Sequence, residues 1–361
     1  MATKALAYSA FVFTILTTAA VSMTEYTFRK ADPKSKITYH SPAICPDGRT
    51  IAYVRAENWK PGSQLFNKGE NIYFAVLSNG HWKHRLLISE SDSPVWSPDG
   101  LLAFDHKGVA VYDPHTGRIT QLTRSRYPKP DDSDEAQAYY HHPLHFSPDG
   151  RYLVYNCEFY ESGDFRIYDS KLHKDLGIDI GNRFAWSSDG TRLVAAWDWY
   201  MDQKVPTRLI MWNIKSRKWR TMLRNYRIDN IVWPNGKDYA WVLIVDVLKE
   251  GPGTDLRPPQ GPGYYRFDFR TRKLTKVSGI TQWIVPSPDY RRFVFQSGPK
   301  DKAKTSSLYI GETGNWQFRL LAGGVAAPWD WLQQSMYVGW SLDGKTLAYT
   351  TKLGDIRIIK L

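Results

Sequence analysis

An all-β fold, a single β-propeller of seven four-stranded blades, is predicted by three features of the sequence. A turn signature recurs seven times, an aromatic or apolar residue usually precedes each copy, and a strand-like run follows it. The copies are Cys45-Pro46-Asp47-Gly48, Ser97-Pro98-Asp99-Gly100, Ser147-Pro148-Asp149-Gly150, Ser187-Ser188-Asp189-Gly190, Pro234-Asn235-Gly236, Ser287-Pro288-Asp289-Tyr290 and Ser341-Leu342-Asp343-Gly344. Measured between the Asp or Asn positions, the gaps are 52, 50, 40, 46, 54 and 54 residues. A Pro-Asp-Gly step supplies the fixed φ, the side-chain cap and the left-handed residue of a tight turn.

The elements of one unit follow in order. Ile44, Trp96, Phe146, Trp186, Trp233, Pro286 and Trp340 end the first strand. The second strand reads Thr50–Val54, Leu101–Phe104, Tyr152–Tyr155, Leu193–Trp197, Tyr239–Val245, Phe293–Gln296 and Leu347–Thr350. A third run ends in an aromatic residue, as in Val109–Tyr112, Arg166–Tyr168, Leu209–Trp212 and Tyr264–Phe267. A polar turn leads to a fourth strand such as Ile119–Thr123. Units of about 40–54 residues with four strands are propeller blades. The last unit runs out after its third strand, Asp355–Leu361, and Glu25–Arg29 is predicted to supply the missing one. The ring would then be closed by the N-terminal strand joining the last blade, with no free sheet edge. Six blades remain an alternative if the degenerate fifth or sixth repeat is not a unit.

The segments PVWSPDGLLAF (94–104) and VAVYDPHTGRITQLT (109–123) resemble the WD40-like repeat of TolB-like β-propellers, and the resemblance covers about residues 24–361. It implies the fold and little about function, because the architecture hosts binding proteins, lyases and peptidase gating domains. The chain is expected to depart from TolB in lacking the α/β domain that precedes that propeller. It also lacks an α/β-hydrolase domain and any Gly-x-Ser-x-Gly elbow.

Composition narrows the class further. Hydrophobic residues make up 42% of the 361 residues, which excludes a disordered chain. Two cysteines exclude a disulfide scaffold and a four-cysteine zinc site. The formal charge of +12 favours an anionic or neutral partner. Lys4, the apolar run Ala5–Val21 and the small residues Ala20-Val21-Ser22 read as a signal peptide over 1–22, leaving a propeller over 23–361. The expected protein is extracytoplasmic, periplasmic or secreted, and not integral to a membrane. Cys45 and Cys157 fall in the first and third units, too far apart for a disulfide, and are expected to be free.

The short turns belong to one face of the ring and the long insertions to the other. Those insertions are Glu57–Glu70, Arg124–Tyr140, Glu158–Asp164, Asp198–Thr207, Asp246–Gly263, Ser297–Thr305 and Gly323–Gln334. They carry Trp59, Tyr139, Tyr140, Trp199, Tyr200, Trp329 and Trp331, aromatic rings suited to stacking on sugars or apolar side chains. An acidic run at Asp131, Asp132, Asp134 and Glu135 reads as a solvated loop or a calcium site.

Five residues before each turn the column is His40, Asp92, His142, Asn182, Asp229, Gln282 and Met336, polar in six units. It is expected at the channel mouth on the long-loop face. His40, Asp92, His142, His145 and Asp229 are predicted to converge there, as a ligand-orienting cluster or ordinary strand-entry residues, and a divalent metal is compatible though no cofactor is required. Arg183, beside that column, suits bidentate capture of a carboxylate.

These features point first to a non-catalytic propeller engaging a glycan, a cell-wall polymer or a partner protein. The alternative is a polysaccharide lyase or hydrolase acting on an acidic sugar through His142, His145, Tyr140 and Arg183. No nucleic-acid partner is expected, because the basic residues are dispersed over turns such as Lys215–Arg220 and Arg266–Lys276.

Overall fold

Five of the seven recurring turns are tied by their own serine and aspartate. In the computed structural model Ser147 Oγ donates to Asp149 Oδ1 at 2.5 Å and accepts the Tyr152 N–H at 2.9 Å. The same pair of bonds recurs at Ser187 with Asp189 and Arg192, Ser287 with Asp289 and Arg292, and Ser341 with Asp343 and Thr346. Ser97 bonds Asp99 and the Leu101 N–H likewise. These serines are buried, so the hydroxyl satisfies groups that water does not reach. Cys45 takes the serine place in the first turn, where Asp47 accepts directly from the Arg49 and Thr50 N–H groups. Burial pushes the Cys45 thiol up to about 12. Consecutive turns also touch: a Cβ at Gly190 would lie 2.8 Å from Asp149 Oδ1, so this position needs glycine for space as well as for its φ of 66°.

The structure describes residues 23–57, 69–126, 139–159, 163–181, 183–197, 207–245, 258–297, 306–326 and 338–361. The first element among the described residues is β1 (Thr24–Arg29). Blade one is β2 (Ile37–Ile44), β3 (Thr50–Glu57), β4 (Asn71–Ser78) and β5 (His81–Ser89). Blade two is β6 (Asp92–Trp96), β7 (Leu102–Asp105), β8 (Val109–Tyr112) and β9 (Ile119–Gln121). Blade three is β10 (Tyr139–Phe146), β11 (Tyr152–Phe159), β12 (Gly163–Asp169) and the two-residue β13 (Lys174–Asp175). Blade four is β14 (Arg183–Trp186), β15 (Arg192–Trp197), β16 (Thr207–Asn213) and the first part of β17 (Lys218–Val232). Blade five takes the second part of β17 with β18 (Tyr239–Val245), β19 (Gly263–Asp268) and β20 (Leu274–Ser278). Blade six is β21 (Ile284–Pro286), β22 (Arg292–Ser297), β23 (Ser306–Glu312) and β24 (Phe318–Val325). Blade seven is β25 (Val338–Trp340), β26 (Thr346–Thr350) and β27 (Ile356–Lys360), completed by β1. All pairings are antiparallel, and the fifth and sixth repeats are both full units, which settles the count at seven.

One arrangement departs from the repeat. β17 runs unbroken from the outer edge of blade four to the inner edge of blade five, joining them into one seven-stranded sheet. No glycine or proline interrupts Lys218–Val232, and the bend falls at Asn225, with φ 67°. Thr207 Oγ1 holds the bend by donating to the Tyr226 carbonyl and accepting the Ile228 N–H.

Neighbouring blades meet through apolar side chains. Val54, Phe74, Leu102 and Phe104 join blades one and two, and Leu153, Tyr155 and Ala103 join blades two and three. The aromatic residue before the turn acts as a rivet: Trp96 donates its indole N–H to the Ala43 carbonyl of the preceding blade, and Trp186 stacks on Tyr152. Between blades seven and one, Phe28 of β1 packs edge-on against Tyr53 and Trp82, with Ala348 and Ile358 in the same cluster. Glu25 accepts from Tyr349 Oη at 2.5 Å and pairs with Arg357 at 3.1 Å. Cys45 and Cys157 are both buried and neither forms a disulfide; Cys157 Sγ lies 3.1 Å from His141 Nε2. Among the described residues no helix is long and apolar enough to cross a membrane.

His84 sits in this seam, with Nδ1 3.0 Å from Tyr53 Oη and its ring 5.3 Å from Phe28. Burial, then the nearby Arg29 cation, pushes its pKa down to about 4. The folded chain therefore binds this proton more weakly than the unfolded chain. The contribution is complete above about pH 6.5 and is lost as pH falls towards 4. Partial exposure limits it to roughly 1–2 kcal/mol. A melting-temperature profile of His84→Gln, which keeps an acceptor for Tyr53, should be flatter than wild type between pH 6.5 and 4. Parallel profiles would show that the seam does not titrate through His84.

Candidate functional site

Bulges in the inner strands set up the site. In β2 the register slips between His40 and Ala43, and in β6 between Asp92 and Val95. The residues that follow His40 and Asp92 are serines held left-handed, Ser41 at φ 50° and Ser93 at φ 54°, each before a proline. A non-glycine residue in that region costs about 1–2 kcal/mol, and the bulge re-aims the side chain beside it. β10 slips between Pro143 and His145, just after His142.

The three side chains so placed meet between blades one, two and three. His40, Asp92 and His142 are only 1%, 6% and 2% exposed. Two carboxylates not foreseen from the sequence join them: Glu70, immediately before β4, and Asp105, the last residue of β7, both buried. Asp105 is the direct cross-strand partner of Asp92, so aligning the first two strands of blade two would have revealed it. Like charges placed opposite each other in a ladder are destabilising unless something compensates them.

Asp105 Oδ1 accepts the Gly108 N–H at 3.0 Å, and Oδ2 lies 2.9 Å from His142 Nδ1. Atoms of Asp92, Asp105 and His142 able to ligate a metal all lie within 4.8 Å of one another. His40 Nε2 is 3.5 Å from Glu70 Oε1, and its Nδ1 is 2.9 Å from Ser41 Oγ. Burial pushes the Glu70 carboxyl up to about 8, with the Asp105 charge adding to the rise and a hydrogen bond with Asp92 opposing it. Burial, then the charges of Asp105 and Glu70, raises Asp92 well above the usual carboxylate range. His40 is pushed down to about 4 by burial, against the pull of Asp92. Three carboxyls this deep cannot all stay charged without a proton or a cation among them.

The predicted convergence of five residues needs correction. The cluster holds His40, Asp92 and His142, whereas His145 and Asp229 are engaged elsewhere. His145 is exposed, with Nδ1 2.5 Å from the Phe146 carbonyl oxygen, because the β10 bulge separates it from His142. Asp229 belongs to a second group on blades four to six. Its carboxylate lies 3.4 Å from Arg227 Nε, and its carbonyl accepts the Arg183 Nε–H at 2.8 Å. The Arg183 guanidinium lies 4.3 Å from the ring centroid of Trp283, and all four side chains are half-buried. Arg183 thus reaches from blade four to blades five and six, and Trp283 is a member that sequence reasoning missed. Tyr140 is half-buried on β10. Trp59, Trp199, Tyr200, Trp329, Trp331 and the acidic run 131–135 lie outside the described residues.

No protein-family model matches the chain, and no curated protein does. Solved structures do. A puromycin hydrolase structure matches with a TM-score of 0.55 and 13% identity, over 87% of this chain and 50% of that one. A chain of a mitotic checkpoint complex matches with a TM-score of 0.51 and 13% identity, over 99% of both chains. TolB from Acinetobacter baumannii matches with a TM-score of 0.43 and 10% identity, over 82% of this chain and 77% of that one. Such likenesses speak for the fold alone: the chain has the β-propeller fold. That architecture serves both binding proteins and enzymes.

Proposed function

We propose that the chain is an extracytoplasmic binding propeller that takes a glycan or cell-wall polymer bearing acidic groups at its long-loop face. The observation that carries this reading is the Arg183–Trp283 pair with Arg227 and Asp229 beside it. The guanidinium lies over the Trp283 ring, and a cation held there supports recognition of an acidic group on a sugar. The formal charge of +12 favours the same ligands. The reading asks for no cofactor. The lyase alternative would draw His142 and His145 together, and they are held by different groups.

Thermal-shift and calorimetric titration of residues 23–361 with acidic and neutral oligosaccharides tests this. An acidic oligosaccharide at 100 times its Kd should add about 2.7 kcal/mol of apparent stability. Arg183→Ala and Trp283→Ala should each weaken binding about tenfold, or about 1.4 kcal/mol. Sugar binding indifferent to both substitutions would remove the site from this group. Absence of binding across the panel would turn the assignment to a protein partner. Turnover of the sugar, lost in His142→Ala, would replace binding by catalysis.

A further inference from the structure

We propose that Asp92, Asp105 and His142 form a binding site for one divalent first-row transition ion, Mn2+ or Zn2+, clamping blade two to blade three. The site is distinct from the Arg183–Trp283 group and independent of any sugar.

Geometry is the first support. The donor atoms come from three separate strands, β6, β7 and β10, and already lie within 4.8 Å of one another. The 2.9 Å between His142 Nδ1 and Asp105 Oδ2 matches neighbouring ligands on a small ion, since two bonds of about 2.1 Å at a right angle place their atoms about 3 Å apart. Asp105 is prepared for the role, with Oδ1 occupied by the Gly108 N–H and Oδ2 turned to His142.

The second support is independent of the spacing. Asp92 is 6% exposed, and its Oδ1 has no hydrogen-bond partner among the described residues. A buried carboxylate oxygen left so is costly, and here it is maintained by a further cost, the left-handed Ser93 that aims it. A cation accounts for both. It also accounts for two aspartates placed directly opposite each other in a ladder, a pairing otherwise repulsive.

The donor set selects the ion. Two carboxylates and one imidazole suit Mn2+ or Zn2+. Ca2+ prefers six to eight oxygen ligands, and Mg2+ keeps much of its water, so both are expected to bind more weakly in this dry place.

The test uses chelator-treated residues 23–361 exchanged into MnCl2 or ZnCl2, desalted and assayed by elemental analysis, with Mn2+ also followed by electron paramagnetic resonance. Wild type should retain one ion per chain and melt at a higher temperature with it. Asp92→Asn and Asp105→Asn should each lose the ion and the shift, and His142→Gln should weaken binding at least tenfold. Metal-free Asp92→Asn should melt at or above metal-free wild type, because a buried carboxylate is gone, and this shows that the variant folds. The proposal fails if wild type retains neither ion. It fails equally if the Asp92→Asn/Asp105→Asn double variant retains as much as wild type, which would mark adventitious binding elsewhere. A metal-free Asp92→Asn that melts well below metal-free wild type, with no ion in either, would identify a proton-sharing carboxyl network instead.

Discussion

Removal of residues 23–31 is expected to abolish cooperative folding. β1 supplies the outer strand of blade seven, paired along β27 from Thr24 opposite Lys360 to Arg29 opposite Ile356. Without it β27 becomes a bare edge, Phe28 leaves the cluster shared with Tyr53 and Trp82, and Asp355 loses the Ala31 N–H. Truncating one buried aromatic residue alone costs about 3–5 kcal/mol. The ladder and the Glu25 contacts to Tyr349 and Arg357 go with it, and whole domains are stable by only about 5–15 kcal/mol. Denaturant unfolding and size-exclusion profiles of the shortened chain should show an unfolded or associating species. A peptide spanning 23–31 added in trans should partly restore the native profile. A shortened chain with the wild-type transition midpoint would mean that β1 contributes nothing to stability.

The second large effect falls on the other side of the same seam. Gly339 lies on β25, where a Cβ would run into the backbone carbonyl oxygen of Pro42 on β2. Backbone on both sides leaves nothing flexible to yield. Gly339→Val is therefore expected to cost about 2–4 kcal/mol, at or above the usual range for overpacking. For a chain of this size that lowers Tm by roughly 3–6 °C. Gly323→Ala is the control, because a Cβ there meets nothing within 4 Å. Equal melting temperatures for the two variants would refute the close approach of blades seven and one.

Much of the fold was legible because its signals are local. A Ser-x-Asp-Gly turn contains its own hydrogen bonds, so Ser147, Asp149 and Tyr152 announce themselves without reference to the rest of the chain. The strands that follow were short and apolar, and Tyr239–Val245 and Val109–Tyr112 were bounded as they occur. The shared β17 was harder, because its bend depends on Thr207 from another strand. The site was half legible. A fixed offset from the turn found His40, Asp92 and His142, but Asp105 required the cross-strand register, and Glu70 lies at the end of a long insertion. The same offset also picked Asp229, which sits with Arg227 and Arg183 instead, and His145 was drawn in by residue type alone, since the β10 slip between Pro143 and His145 separates it from His142.

The pairing of β1 with β27 has a mechanical consequence. Thr24 lies beside Lys360, so the two ends of the ladder nearest the chain termini coincide. A force pulling the termini apart acts across the pair rather than along it, and loads the cross-strand bonds one after another, beginning at Thr24. Bonds loaded in sequence resist far less than bonds sheared together. The strand that completes blade seven against thermal unfolding is thus the first to be loaded under tension, and peeling it would expose β27 while the other blades still stand.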